Sequence, residues 1–237
     1  LPREVLCEPI EAESLAAAPC MAPALTGARS QDIAQLAEWI VDAENPVIFS
    51  QRGAGSQTGF EALTKLVEDW AIAVNRYWAE SPAIPSHHPM MVGSDPNPWV
   101  GEAELIICID ALAPWMPEIH KPHRDARIVN IGPNPLFSRT PVRNFHSHLS
   151  LPGEPDETIL ALVALLTSKL KEQPSKLEKR RKQITTRSAA IRSATIAQAE
   201  AGNTDTMSKS WVAKCVSDAI GRSGRKTSVT SELGCPM

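Results

Sequence analysis

The chain has no apolar run long enough to cross a bilayer. Its longest runs, "LIICID" (105–110) and "TILALVALL" (158–166), fall well short of the roughly 20 residues that a membrane helix needs. It has no excess of one charge either: 24 Lys and Arg against 27 Asp and Glu leave a net charge of -3, mixed along the sequence. That excludes a general electrostatic case for nucleic acid or an anionic membrane as partner. Paired cysteines are also missing. Five of them, Cys7, Cys20, Cys108, Cys215 and Cys235, stand at irregular spacing with no charged-then-apolar leader ahead, so a reducing, cytoplasmic setting is the expectation. No G-x-S-x-G occurs, no Ser or Cys sits in a recognised nucleophile context, and "GSDPNPW" holds a single acid, Asp95. The chain opens on "LPREVL" without an initiator methionine and stops at "TSELGCPM", just after an apolar strand pattern. The expectation is an internal piece of a longer protein.

What is present is a globular composition, 43% apolar over 237 residues, enough to bury a core. Residues 1–30 carry scattered prolines and small residues and read as an interdomain linker. From Ser30 the pattern changes: Ser30 or Asp32 stands ready to cap a helix with Ile33, Leu36, Ala37 and Ile40 on one face. The strand "PVIFS" and a glycine cluster follow, then a helix carrying Phe60, Leu63, Leu66, Val67 and Trp70 at spacings of three and four. "AIAVNRY", "ELIICID" and "ARIVNIG" read as further strands and "HSHLSL" as a weaker fifth; Asp156 opens another helix, "DETILALVALLTSKL". Between the second and third strands a Pro- and His-rich segment excludes regular structure for most of its length.

Short apolar strands alternating with amphipathic helices predict an α/β fold with a doubly wound parallel sheet over 31–171. Residues 172–206, rich in Lys and Arg, read as a solvated helical connector. Residues 207–237 offer a helix with Trp211, Val212, Cys215, Val216 and Ile220 in register and a strand in "KTSVTSE". They read as the opening of a second α/β domain.

In "RGAGSQTG" the glycines stand at 53, 55 and 59, one residue longer than the dinucleotide fingerprint G-x-G-x-x-G. A strand-to-helix turn with open amides can hold phosphate, and glycines are equally what any tight turn of this kind requires. Where the fingerprint wants an acid at the end of the second strand, Asn75 and Arg76 stand instead. The six histidines, including "HKPH" and "HSH", come without a cysteine pair, so surface or hydrogen-bonded roles are expected over metal ligation. The basic run Lys176–Arg187 alternates with Glu and Gln as a solvated helix does. The tryptophans fall mostly on apolar helix faces and suit packing.

Taken in order, "LPREVL", "NPVIFSQRGAGS", "ELIICIDALAPW", "ARIVNIGPNPLFSRTPVRNF" and "TSELGCP" resemble a thiamine-diphosphate-dependent enzyme of the acetolactate synthase type over nearly the whole chain. The resemblance implies that 31–171 is the family's central domain, a six-stranded parallel sheet, and that 207–237 starts its diphosphate-binding domain. It implies a dimer or tetramer that decarboxylates a 2-keto acid and transfers the acyl unit, using thiamine diphosphate and Mg²⁺. The catalytic glutamate would precede Leu1 and the metal motif would follow Met237, so the chain alone is expected to be inactive. Ser231, Glu232 and Leu233 would lie near the cofactor diphosphate. In the central domain such enzymes hold FAD, an ADP-like nucleotide, or nothing, and Gly53, Gly55, Ser56, Asp110 and Asn130 mark where that ligand would lie. This chain has "VNIGPNP" where many relatives carry an acid, so Asn130 and Gly132 supply no carboxylate. Other readings are a flavin-free decarboxylase or acyl-CoA lyase of the same family, a non-catalytic nucleotide-binding or subunit-interface module, and a free-standing dehydrogenase, which the glycine spacing opposes.

Overall fold

A computed structural model describes residues 7–9, 25–137, 145–170 and 173–229. Five strands form one all-parallel sheet: β1 (Pro46–Ser50), β2 (Ala73–Asn75), β3 (Leu105–Ile109), β4 (Arg127–Gly132) and β5 (Leu149–Pro152), in the order β2-β1-β3-β4-β5. Every residue of the central strands β1 and β3 is buried, as their unbroken apolar character demands when both faces of a sheet are covered. The weakest pattern, "HSHLSL", became the edge strand β5, where one flank needs no partner. In place of the seven residues of "AIAVNRY", β2 has only three. Ala71 ahead of it adopts φ 47°, and beyond Asn75 the backbone bonds to the following loop.

The helices among the described residues are α1 (Ser30–Asp42), α2 (Gln57–Asp69), the single turn α3 (Trp99–Glu102), α4 (Pro155–Thr167), α5 (Pro174–Ala201) and α6 (Lys209–Ser223). α1 and α2 both pack against α4, with Leu36, Ile40, Leu63, Val67, Ile159 and Leu162 buried in the same core. Neither Ser30 nor Asp32 caps α1; the cap position is Arg29, whose guanidinium pairs with Asp32 at 2.9 Å. Ser56 does cap α2, accepting from the Gly59 amide at 3.1 Å.

The expected solvated connector is helical and mostly exposed, but one stripe of it, with Leu177, Arg180, Ile184 and Ser188, is buried. α5 sends one stripe of donors onto carbonyls at the helix ends that precede β1 and β2. Lys176 Nζ donates to the Val41 and Asp42 oxygens at 3.0 and 2.9 Å. Arg180, only 3% exposed, donates from Nη1 to Ala43 O at 2.8 Å, from Nε to Ala71 O at 2.9 Å, and from Nη2 to Trp70 O. Arg181 reaches Glu68 O at 2.7 Å. Further along, Arg187 grips Glu102 with both nitrogens and stacks 4.1 Å over Trp99, Ser188 donates to Met91 O, and Arg192 donates to His87 O. Lys176, Arg180, Ser188 and Arg192 are separated by multiples of four and so share one helix face. The acceptors at Val41–Ala43 and Glu68–Ala71 are carbonyls that a helix end leaves without intrahelical partners, and the helix dipole makes those ends negative.

α6 begins with Ser208, whose hydroxyl accepts from the Trp211 amide. None of its residues is buried; Val212 and Val216 are nearly half exposed. Of the strand expected in "KTSVTSE", Lys226–Val229 are irregular and exposed, and the remainder lies outside the described residues.

Burial pushes the Arg180 pKa down to about 10, still far enough above neutrality to keep the guanidinium charged. Arg180→Met removes the donors and strands three buried carbonyls. Urea denaturation is expected to show a loss of about 3 kcal/mol, with Arg180→Lys recovering less than half because an ammonium cannot span the fork. Unchanged stability would refute this role.

Candidate functional site

In a sheet of this order the chain leaves β1 toward β2 on one side and enters β3 on the other, so the carboxyl ends of β1 and β3 flank a topological switch point, where open α/β sheets bind ligands. Two side chains just past β1 bridge that crevice. Gln51, 6% exposed, clasps Ala113 in both directions: its Nε2 donates to Ala113 O at 2.9 Å and its Oε1 accepts from Ala113 N at 3.1 Å. The Gln51 carbonyl accepts from the amides of Glu80 and Ser81, tying in the loop that follows β2. Arg52 then spans from Glu80 to Asp110, each at 3.3 Å. Asp110, ahead of Glu80, holds the Arg52 pKa above its ordinary value. The cation is thus already balanced by two carboxylates.

Gly53, Gly55 and Ser56 lie together in the turn that follows, as their spacing indicated. Both glycines adopt positive φ, 79° and 85°, which they do at little cost. Their missing side chains make room for protein: a Cβ on Gly53 would stand 3.1 Å from Pro82 O, and one on Gly55 would stand 3.3 Å from the Asp156 carboxylate. At Gly59 a Cβ would overlap the Ala54 carbonyl and come within 2.7 Å of Asp156 Cβ. The glycines therefore let the β1–α2 turn close against the first turn of α4. What remains is an open hollow of about 390 Å³ lined by Arg52, Gly53–Gln57, Phe60, Ser81 and Pro82.

Asp110 is at the end of β3 with φ 40°, its carboxylate turned to Arg52. Gly132 lies beside it with φ 154°, and a Cβ there would be in ordinary contact with Asp110 Cα, 3.4 Å away. Asn130 is 3% exposed, inside β4 between Cys108 and Ser150. Ser231, Glu232 and Leu233 lie outside the described residues. Four of the six histidines serve the backbone: Nδ1 of His88, His120, His123 and His148 each accepts from a main-chain amide. No group of three or more His, Cys, Asp or Glu side chains could hold a metal among the described residues. Asp95 accepts from the Asn97 amide, a turn contact.

Sequence spacing missed Gln51, Arg52 and Asp156, and it missed a second hollow beside β2. Asn75, fully buried, joins β2 to its loop by donating to Asp95 O at 2.6 Å and accepting from Tyr77 N at 2.9 Å. This is the position where the dinucleotide fingerprint would place an acid. Here the amide serves the loop.

If the glycines serve closure, Gly59→Ala should destabilise the fold by about 3 kcal/mol through overpacking at Asp156 and Ala54. Chemical denaturation reads this directly, and a neutral effect would return the turn to ligand binding.

No family model matches the chain, and no curated protein matches it. Solved structures do. An X-ray structure from Mycobacterium smegmatis, assigned provisionally as a thiamin diphosphate-dependent enzyme, shares 20% identity and a TM-score of 0.50 over 63% of this chain and 30% of its own. Benzoylformate decarboxylase from Polynucleobacter necessarius shares 14% identity and a TM-score of 0.48 over 62% of this chain and 29% of its own. The chain thus spans about a third of the length of these structures. The first likeness establishes the fold: the parallel sheet and its helices have the architecture of a domain found in the mycobacterial structure.

Proposed function

We propose that this chain is the central part of a thiamine-diphosphate-dependent enzyme of the acetolactate synthase type, working with Mg²⁺ on a 2-keto acid as a homodimer or homotetramer. The observation that carries this reading is the likeness of its five-stranded parallel unit to the mycobacterial structure. The ordered motifs from "NPVIFSQRGAGS" to "TSELGCP" support it. In this reading 31–171 is the central domain, 172–206 the connector and 207–237 the start of the diphosphate-binding domain. Thiamine diphosphate would supply the electron sink after decarboxylation. Ser231, Glu232 and Leu233, assigned to its diphosphate by resemblance, lie outside the described residues, so no step is derived through the cofactor.

The residues present do not fit FAD or ADP held by the glycine turn. The Cβ sides of Gly53 and Gly55 face Pro82 and the Asp156 carboxylate, so an acid that repels a pyrophosphate stands beside the turn, and Arg52 is neutralised. That favours the flavin-free decarboxylases and lyases of the family. The alternative, a subunit-interface module without chemistry of its own, draws on the uncovered apolar face of α6.

The protein translated from the full reading frame should consume pyruvate or another 2-keto acid only with thiamine diphosphate and Mg²⁺, while the isolated chain consumes none. Cofactor-independent or absent turnover by the full protein would overturn the enzyme reading. Titrating the folded chain with FAD or ADP should give no saturable signal that Arg52→Gln removes; such a signal would restore the glycine turn as a nucleotide cradle.

A further inference from the structure

Just past the carboxyl end of β2, a cavity of about 580 Å³ opens between the end of that strand and the loop that follows it. Its volume is within the roughly 300–1,000 Å³ range of small-molecule sites. Arg76 lines it, and the Arg76 side chain has neither a hydrogen bond nor an ion pair among the described residues, although its Nε is buried. A buried guanidinium nitrogen without an acceptor is costly, and native structures rarely leave one unmet without reason. The backbone holds this residue in place through a 2.9 Å bond from Arg76 N to Gly93 O.

Beside it stands a flat apolar platform. Trp78 is 65% exposed, lines the same cavity, and stacks on Tyr77 with ring centroids 5.4 Å apart and planes 7° from parallel. Tyr77 is in turn braced edge-on by His120 at 5.6 Å. Trp78 adopts φ 51°, a strained conformation for a bulky residue, and such strain collects at functional sites. An exposed tryptophan fixed in this way is the exception among tryptophans that otherwise pack, as Trp70, Trp99 and Trp115 do. Four serines line the cavity: Ser50, whose hydroxyl donates to Gly53 O, and Ser81, Ser86 and Ser94. The one acid there, Glu80, is engaged by Arg52.

From the unpartnered cation, the braced indole and the hydroxyls around one cavity, we infer that this is a binding site for a small planar molecule carrying a carboxylate or phosphate. Arg76 takes the anion through its fork and Trp78 takes the ring face. This inference does not depend on the thiamine-diphosphate reading, because Arg76 and Trp78, which would touch the ligand, are argued from their own surroundings in the loop after β2.

The test is calorimetric titration of the whole chain with naphthoate, naphthyl phosphate, neutral naphthalenemethanol and inorganic phosphate. The wild type should bind one or both naphthyl anions at least tenfold tighter than the neutral alcohol, as expected for about 1.5–3 kcal/mol from a charged hydrogen bond. The tighter of the two names the anion. Arg76→Gln should bring the anions down to the affinity of the alcohol, and Trp78→Ala should weaken all three naphthyl probes by about tenfold. Circular dichroism confirms that each variant is folded. Absence of binding by either anion, equal affinity for the neutral alcohol, or anion binding that survives Arg76→Gln overturns the site. Inorganic phosphate binding as tightly as naphthyl phosphate overturns the part assigned to Trp78.

Discussion

Arg180 carries a charge into the core and survives there because two helices end where it arrives. Nearly fully buried, it meets carbonyls that follow α1 and α2. An isolated buried cation would be driven out or neutralised. Here the negative ends of two helix dipoles and three main-chain oxygens compensate it, and the same bonds satisfy carbonyls that would otherwise be buried without donors. Everything at the amino edge of β1 and β2 depends on that exchange. It sets α5 against both chain reversals; Lys176 and Arg181 repeat the same donation to helix-end carbonyls, while farther along Arg187 pairs with Glu102 and Arg192 donates to His87 O.

With the amino edge tied down, the opposite edge of the sheet is where ligand chemistry remains open. The switch point itself is closed by the Gln51–Ala113 clasp and the Arg52–Asp110 pair. The glycine turn is closed by Asp156. These contacts displace the available space to either side: a shallow hollow outside the turn, and a larger cavity past β2 with an unpaired guanidinium and an exposed indole. Of the four described residues with positive φ that are not glycine, Trp78, Asp110 and Phe137 mark this edge and Ala71 alone the other. The backbone strain therefore concentrates where a parallel sheet offers its binding crevice.

Much of the fold was legible in the sequence because burial writes itself as period. Unbroken apolar runs announced β1, β3 and β4, and three- and four-residue spacing announced α1 and α2. The position of Gly53, Gly55 and Ser56 in a strand-to-helix turn was equally readable. Their purpose was not, because it depends on Asp156, about a hundred residues later in the chain. The basic segment from Lys176 misled for a related reason. Lys and Arg on a helix usually seek water, and nothing local reveals that this face meets carbonyls of residues 41–44 and 68–71.

By itself, then, the sequence determined the alternation of strands and helices, the parallel α/β class and the place of the turn after β1, since these follow from side-chain polarity and local backbone preference. Only the tertiary structure decided which charges are buried, which crevice is filled and which cation is left without a partner. Those outcomes rest on distances between residues far apart in the chain, and neither composition nor periodicity encodes a distance.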